Sequence, residues 1–457
     1  MRINLQTVAD DARYGKLQIL VLVICSVLMT IDGYDLTVIG VALPSVIAEM
    51  KMDPSVAGLL VSAALVGMMF GAIIFGTISD RIGRVKTMAV CVAIFSLFTA
   101  ATGLCREPIS FAAMRFLSGV GLGGIVPLLT AVVSEFSPKA SRARTITFMF
   151  AGYSLGGMMA AILGKQFLES FGWQIVFFAA GAPIVLIPII LAWMPESMAI
   201  LQKRGDQQRL RELCRRIDPS VRVSDSDQMF VPIAKAGSKV PIARLFSEGR
   251  GLTTVLIWIS FFCGLFMLYA LNSWLTKLMA MAGYSVGSAL TFLLLLNCGA
   301  MVGCFTGGWL SDKFGMKRVL SMQIVIGSIA TILMAQKMPT ELLMVVIFII
   351  GFMCSGGQGV MYAYAGQFYP NEIRATGVGV ASGMGRFGGI FAPILIGLLI
   401  SLKLPFEQNF YVIAGFGLAQ AIAAMLFNDR VADFNAVRRD DTVGSPESVG
   451  AAAKTAV

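Results

Sequence analysis

Apolar runs long enough to cross a bilayer recur twelve times along this 457-residue chain, and no other feature constrains its fold as tightly. They fall at 17–43, 55–79, 87–105, 109–134, 144–167 and 173–193, then at 252–277, 286–310, 318–337, 341–366, 375–401 and 408–428. Hydrocarbon offers no water to N–H and C=O groups, so each run must satisfy its backbone internally, as a helix does. Only 14% of residues are charged and 57% are hydrophobic, where a soluble domain carries charge on about a quarter. The first run is too long for a signal peptide, and no small-residue cleavage site follows it. The chain therefore reads as an all-α polytopic membrane protein.

The interval between the sixth and seventh runs, Pro195 to Arg250, is polar and holds the longest charged stretch, including Arg209-Leu-Arg-Glu-Leu-Cys-Arg-Arg216. A short amphipathic helix is expected near 206–217, lying along the membrane surface. Lys and Arg choose orientation. Arg81, Arg84, Lys86, Lys139, Arg142, Arg144, the central interval, Lys313, Lys317 and Arg318 all fall on one side, which makes both termini and the central loop cytoplasmic. The formal net charge of +10 is thus topological, and no nucleic-acid partner is implied. Eight cysteines form no CxxC pair and no zinc spacing, and read as small apolar packers. There is no histidine, so any proton step must use Asp or Glu. No GxxxxGK[ST] loop occurs, and neither metal, cofactor nor enzymatic chemistry is expected.

An internal repeat divides the chain. Gly76-Thr-Ile-Ser-Asp-Arg-Ile-Gly-Arg84 recurs as Gly308-Trp-Leu-Ser-Asp-Lys-Phe-Gly-Met316, at an offset of 232 residues. The same offset relates Glu135-Phe-Ser-Pro138 to Gln367-Phe-Tyr-Pro370, Arg142 to Arg374, and Gly156-Gly157 to Gly388-Gly389. The expected plan is a six-helix bundle over 1–194, a central loop over 195–250, a second bundle over 251–430 and a tail over 431–457. Two repeated bundles around a central cavity are the architecture of many alternating-access carriers.

Charges inside the runs mark the candidate site. Asp32 and Asp35 stand three residues apart in the first run, on roughly one helix face and in its external half, and suggest a proton or substrate site. Arg386 lies near the middle of the eleventh run within a glycine-rich stretch. It needs an anionic partner, a carbonyl cluster or water; an anionic substrate or buried acid stands against a purely structural ion pair, and its guanidinium suits a bidentate carboxylate. Arg115 lies some six residues into the fourth run, close enough to the outer end to snorkel. Asn272, Trp274, Gln358 and Tyr362 are polar or aromatic groups suited to a solute, or to holding helices together. Asp80, Arg81 and Arg84, with their counterparts Asp312 and Lys313, read as gate contacts at the ends of two spans. Glu135 and Arg142 read the same way. Met316 stands where the first copy has Arg84, so the two gates are not equivalent.

Taken together, these motifs resemble the major facilitator superfamily over nearly the whole chain. Asp32-Gly33-Tyr34-Asp35, Arg115-Phe-Leu-Ser-Gly119, Ser134-Glu135-Phe136, Ser273-Trp274-Leu275, Arg374-Ala-Thr-Gly-Val378 and Gly385-Arg386-Phe387-Gly388 are similar to the aromatic acid:proton symporters among them. That resemblance implies bacterial inner-membrane carriers of 4-hydroxybenzoate, protocatechuate, benzoate or muconate, with monomer the default state. It also implies transport roles for Asp32, Asp35, Arg115, Glu135 and Arg386. The expected function is proton-coupled uptake of a small aromatic or dicarboxylic acid anion, with protons and the bilayer as the other partners. Within transport the rival is an exporter or a carrier of a neutral solute such as a sugar. Outside it, the rival is a non-transporting receptor or scaffold.

Overall fold

The structure is a computed structural model that describes residues 2–221, 223–224, 227–231, 242–336, 338–370 and 373–432, apart from the side chains at 80, 143, 375 and 430. The expected tail from 433 onward and the side chain of Asp80 lie outside the described residues.

A short strand β1 (Arg2–Asn4) and helix α1 (Leu5–Asp11) precede the first span, α2 (Lys16–Glu49). Then follow α3 (Pro54–Ile82), α4 (Arg84–Thr102), α5 (Pro108–Phe136) and α6 (Arg142–Phe171). The sixth span is broken into α7 (Gln174–Ala179), a 3₁₀ turn with Pro183, and α8 (Ile187–Trp193). Proline lacks the N–H that a continuous α-helix would use there. The central segment contributes α9 (Met198–Lys203), α10 (Gln207–Ile217) and β2 (Gln228–Phe230). The second set is α11 (Gly251–Met281), α12 (Val286–Phe314), α13 (Met316–Leu333), a tenth span made of α14 (Thr340–Ile350), a π-turn and α15 (Gly356–Phe368), then α16 (Arg374–Ser401) and α17 (Phe406–Met425). Eleven of these spans are long and apolar enough to cross a membrane on composition alone. The twelfth, α17, is 20 residues long and carries Glu407, Gln408, Asn409 and Gln420 among its apolar positions. The fold is thus twelve transmembrane helices in two six-helix bundles.

The sequence repeat is also a packing repeat. A Cβ added at Gly156 would stand 1.8 Å from the Thr30 carbonyl oxygen, and one added at Gly388 would stand 2.0 Å from that of Phe262. Gly71 meets Val120 O at 2.0 Å where Gly303 meets Phe352 O at 2.1 Å. Partner and glycine shift together by the same 232 residues. Helices with no hydrophobic drive to associate in lipid gain contact by bringing backbones together, which only the smallest residue permits.

Three expectations change. The first span runs to Glu49 through Pro44, so Asp32 stands at the middle of a 34-residue helix rather than in one half. Helix α10 appears where expected, but its apolar face is not left to lipid: Leu210, Leu213, Cys214 and Ile217 are buried against α1, α2, α9 and β2. Gln18 of α2 donates to the Ile217 carbonyl at 3.3 Å. The β1–β2 pair, parallel and in register Arg2↔Gln228, was not anticipated.

We use "terminal side" for the end bearing Lys16 and Met425, and "far side" for the other. The bundles touch closely on the far side. Gly40 lies against the Asn272 carbonyl, Gly58 against that of Pro393, and Gly397 against that of Pro54. Ser62 donates to Ile390 O at 2.7 Å and Lys165 to Thr291 at 2.9 Å. Hydrogen bonds from Ser401 and Ser55 hold the Asp53 carboxyl below the usual carboxylate range. That tie is in place above the ordinary carboxylate pKa and is lost as pH falls through the lowered value. On the terminal side the Phe148–Phe305 ring pair, 6.3 Å between centroids, spans the two bundles.

The glycine contacts make a stability prediction. Gly388→Ala has backbone, not a yielding side chain, in its path and should cost about 1–3 kcal/mol. Gly308→Ala meets nothing within 4 Å and should be neutral or slightly stabilising. Thermal unfolding of the two purified variants in detergent checks the contrast.

Candidate functional site

Two charged groups of the first bundle, Asp35 and Arg115, are buried as a pair. Arg115 Nη1 donates to Asp35 Oδ1 at 3.0 Å, and Thr99 donates to the same oxygen at 2.7 Å. A second guanidinium nitrogen reaches the Asp35 carbonyl at 3.4 Å. The Phe177 ring lies 5.9 Å from the guanidinium carbon. Arg115 is 1% exposed, so it does not snorkel; its charge is met inside the bundle. This pair knits α2, α4 and α5 on the far-side half of the bundle.

Asp32 faces elsewhere. Three residues on a helix turn the side chain by about 60° from its neighbour, enough to move Asp32 off the Arg115 side. Its electrostatic partners are Asp35 and, across the bundle interface, Arg386 of α16. Three phenols feel one or both of these charges: Tyr153 of α6, Tyr269 of α11 and Tyr362 of α15. Tyr153 and Tyr269 are electrostatically coupled to each other, and Asp32 acts on both. Arg386 acts on Tyr269 and Tyr362. Neither Asp32 nor Arg386 makes a hydrogen bond or ion pair with any described residue. Asp32 Oδ1 is buried without a partner, while Arg386 is half-buried and Tyr362 is exposed. A carboxylate of the first bundle and a guanidinium of the second thus share an electrostatic neighbourhood with phenols from three helices.

Glycines set this geometry. Gly33, next to Asp32, lets α2 lie against the Tyr153 carbonyl of α6, where a Cβ would come within 1.9 Å. Gly388 and Gly389, just past Arg386, let α16 lie on α11; a Cβ at Gly389 would meet the Tyr269 ring at 2.6 Å. Tyr362 is held by an edge-on contact with Phe261 at 4.8 Å.

The other residues singled out from sequence fall outside this cluster. Trp274 is fully buried against Gly397 at the far-side contact, and Asn272 receives the Asn297 amide at 3.5 Å and donates to Leu268 O at 2.8 Å. Gln358 packs beside Gly264 and Gln420 inside the second bundle. On the terminal side, Arg84 is ion-paired with Glu135, whose other oxygen accepts from Ser197 Oγ at 2.9 Å and Met198 N at 2.6 Å. Glu196 accepts from Arg84 N at 2.8 Å. Arg142 pairs with Asp10 and donates to Ser137 O at 3.2 Å. Arg81 and Asp312 are exposed, and Lys313 lies over the Trp309 and Phe314 rings. Sequence reasoning missed Tyr153, Tyr269 and Asp10. For the two tyrosines the available signal was their place on the spans that also hold Gly156-Gly157 and Trp274.

The model of the Major Facilitator Superfamily matches residues 25–336 and 299–449. The chain belongs to the major facilitator superfamily. Among its superfamily relatives, it is 38% identical over 435 residues to the benzoate transport protein of Acinetobacter baylyi, covering 94% of this chain and 93% of that one. It is 32% identical over 428 residues to the 4-hydroxybenzoate transporter PcaK of the same organism, covering 92% and 93%. The superfamily fold is seen again in a bacterial homologue of the human lysosomal transporter Spinster, solved inward-facing and unoccupied. That match has TM-score 0.70 and 20% identity and covers 91% of this chain and 98% of the other. As a superfamily member the protein is a multi-pass membrane transporter and not an enzyme.

The Asp35–Arg115 pair yields a prediction. Arg115→Ala strands a buried carboxylate and should cost about 3–5 kcal/mol. Thr99→Val removes one hydrogen bond to that carboxylate and should cost about 1.5–3 kcal/mol. Unfolding temperatures of the two variants should rank in that order.

Proposed function

We propose that the protein imports a small aromatic carboxylate together with protons across the bacterial inner membrane, by alternating access. The observation that carries this reading is Arg386: a guanidinium near mid-membrane with no carboxylate of the described chain to pair with, set opposite Asp32 and flanked by phenols. A charge so placed calls for an anion. A carboxylate matches the planar fork, and the rings of Tyr153, Tyr269 and Tyr362 offer flat apolar faces with hydroxyls at their edges. The names of the benzoate and 4-hydroxybenzoate relatives agree with an aromatic acid.

In this mechanism Arg386 holds the substrate carboxylate and Asp32 takes the proton. Asp35 is already committed to Arg115 and Thr99, so it serves the shape of the first bundle rather than exchange. With Asp32 ionised and Arg386 empty, the two attract across the interface. Substrate anion takes over the guanidinium, which leaves the Asp32 charge uncompensated until it accepts a proton. The loaded, protonated site is neutral enough to pass through the rearrangement. A ligand moves the equilibrium only through its differential affinity for the two states. With both termini cytoplasmic, the far side is external, and the packed Gly40–Asn272 and Gly58–Pro393 contacts close it. The Arg84–Glu135 and Arg142–Asp10 pairs steady the terminal ends of the first bundle as the site opens on the cytoplasmic side.

Uptake of labelled benzoate and 4-hydroxybenzoate into proteoliposomes under an imposed pH gradient tests the reading. Asp32→Asn should abolish gradient-driven accumulation while exchange of internal for external substrate persists; accumulation at the wild-type level would remove Asp32 from coupling. Arg386→Lys keeps the charge and loses the fork, and should weaken binding on the order of tenfold to a hundredfold. A neutral sugar carried equally well by the Arg386→Gln variant would favour the neutral-solute alternative.

A further inference from the structure

We propose that a second ligand site, for the headgroup of an anionic phospholipid, lies on the terminal side of the first bundle, away from the transport site. It is a cavity of about 430 Å³ between the first turn of α4, the end of α8, and helices α9 and α10.

Its wall is cationic. Lys86, Arg204, Arg209 and Arg216 line it against two carboxylates, Glu196 and Glu212. Glu196 already accepts from the Arg84 and Ser197 backbone amides, at 2.8 Å and 3.0 Å. Arg204 is fixed by donating to Ile82 O at 2.7 Å. Arg209 has only an exposed contact with Asp206 at 3.4 Å. Lys86 and Arg216 make no hydrogen bond or ion pair with any described residue. Arg209, Glu212, Leu213 and Arg216 are spaced three, four and seven residues apart, so one face of α10 turns as a unit into the cavity. The surplus of positive charge selects an anion.

The surroundings select a lipid as its source. Leu191 and Met194 bring the end of a membrane span to the cavity edge, and the Leu191 side chain is exposed. On α4, Lys86 is followed on the same face by Val90 and Leu97, both exposed. An apolar track therefore leads from the cavity along the outside of the bundle, where acyl chains lie. A phosphate held at Lys86, Arg209 and Arg216 with its chains along Val90 and Leu97 satisfies both surfaces at once. The volume suits a headgroup and not a whole lipid. Basic groups at a membrane surface each add attraction for anionic lipid. Bound there, the lipid would link α4 to α10 close to the Arg84–Glu135 pair.

The test uses the full-length protein in nanodiscs of phosphatidylcholine with a minor fraction of phosphatidylglycerol, followed by native mass spectrometry of what remains bound on detergent exchange. Wild type should retain one phosphatidylglycerol and no phosphatidylcholine. A Lys86→Gln/Arg209→Gln/Arg216→Gln variant should bind it on the order of a hundredfold more weakly. A Lys139→Gln/Arg144→Gln/Lys203→Gln variant loses as much charge from exposed positions outside the cavity and should match wild type. Equal retention by the two triple variants would overturn the proposal. So would retention of phosphatidylcholine in place of phosphatidylglycerol, or displacement of the lipid by millimolar inorganic phosphate, which would assign the site to a soluble anion. A headgroup-photoreactive phosphatidylglycerol gives a second readout on the unmodified protein. Labelling within 84–102 or 207–217 is expected; labelling confined to other segments would refute the site even if the first triple variant fails to fold.

Discussion

Backbone contact between helices, made possible at glycine, is what the rest of this structure depends on. In lipid, burying a leucine against another leucine changes little, so helices hold together by packing closely and by the polar groups that closeness brings into range. Gly33 brings Tyr153 beside Asp32, and Gly388 with Gly389 brings Tyr269 beside Arg386. The proposed transport site is therefore a product of the helix contacts and not an addition to them. The same device at Gly40 and Gly58 closes the far side of the molecule.

Charge within the membrane is divided between two uses. Asp35 and Arg115 neutralise each other, accept further hydrogen bonding and are almost wholly buried. Such a pair resists change, because separating it leaves either member stranded. Asp32 and Arg386 interact across the interface without touching, and so can respond to a ligand or a proton. The aspartates differ less in chemistry than in which neighbouring helix each one meets.

Much of this was legible in sequence. Hydropathy located the spans, and the 232-residue offset foretold a repeat that the glycine–carbonyl contacts reproduce. The amphipathic helix fell within a residue of its expected start because charge and apolar period agree there. Local pattern could not say that Asp35 would find Arg115, since that pairing is fixed by helix packing eighty positions apart. Nor could it separate Tyr153 and Tyr269 from ordinary core aromatics, because a phenol in an apolar run looks the same whether it packs or binds. The first apolar run ends at 43, yet the helix continues through Pro44 to Glu49. The strand pair escaped notice because three residues are too few for a period to show.

That strand pair has a consequence for how the molecule is made. β1 lies at the very start of the chain, and its partner β2 follows the sixth span. A ribosome delivers residues in order, so the first bundle's helices are all synthesised before β1 has anything to join. The N-terminal segment must wait, and its docking on the central segment marks the moment the first half is finished. Closing so long a loop is entropically cheap only after the helices between have already brought its ends together. The small sheet is thus a clasp that can form only once all six spans of the first bundle have been made.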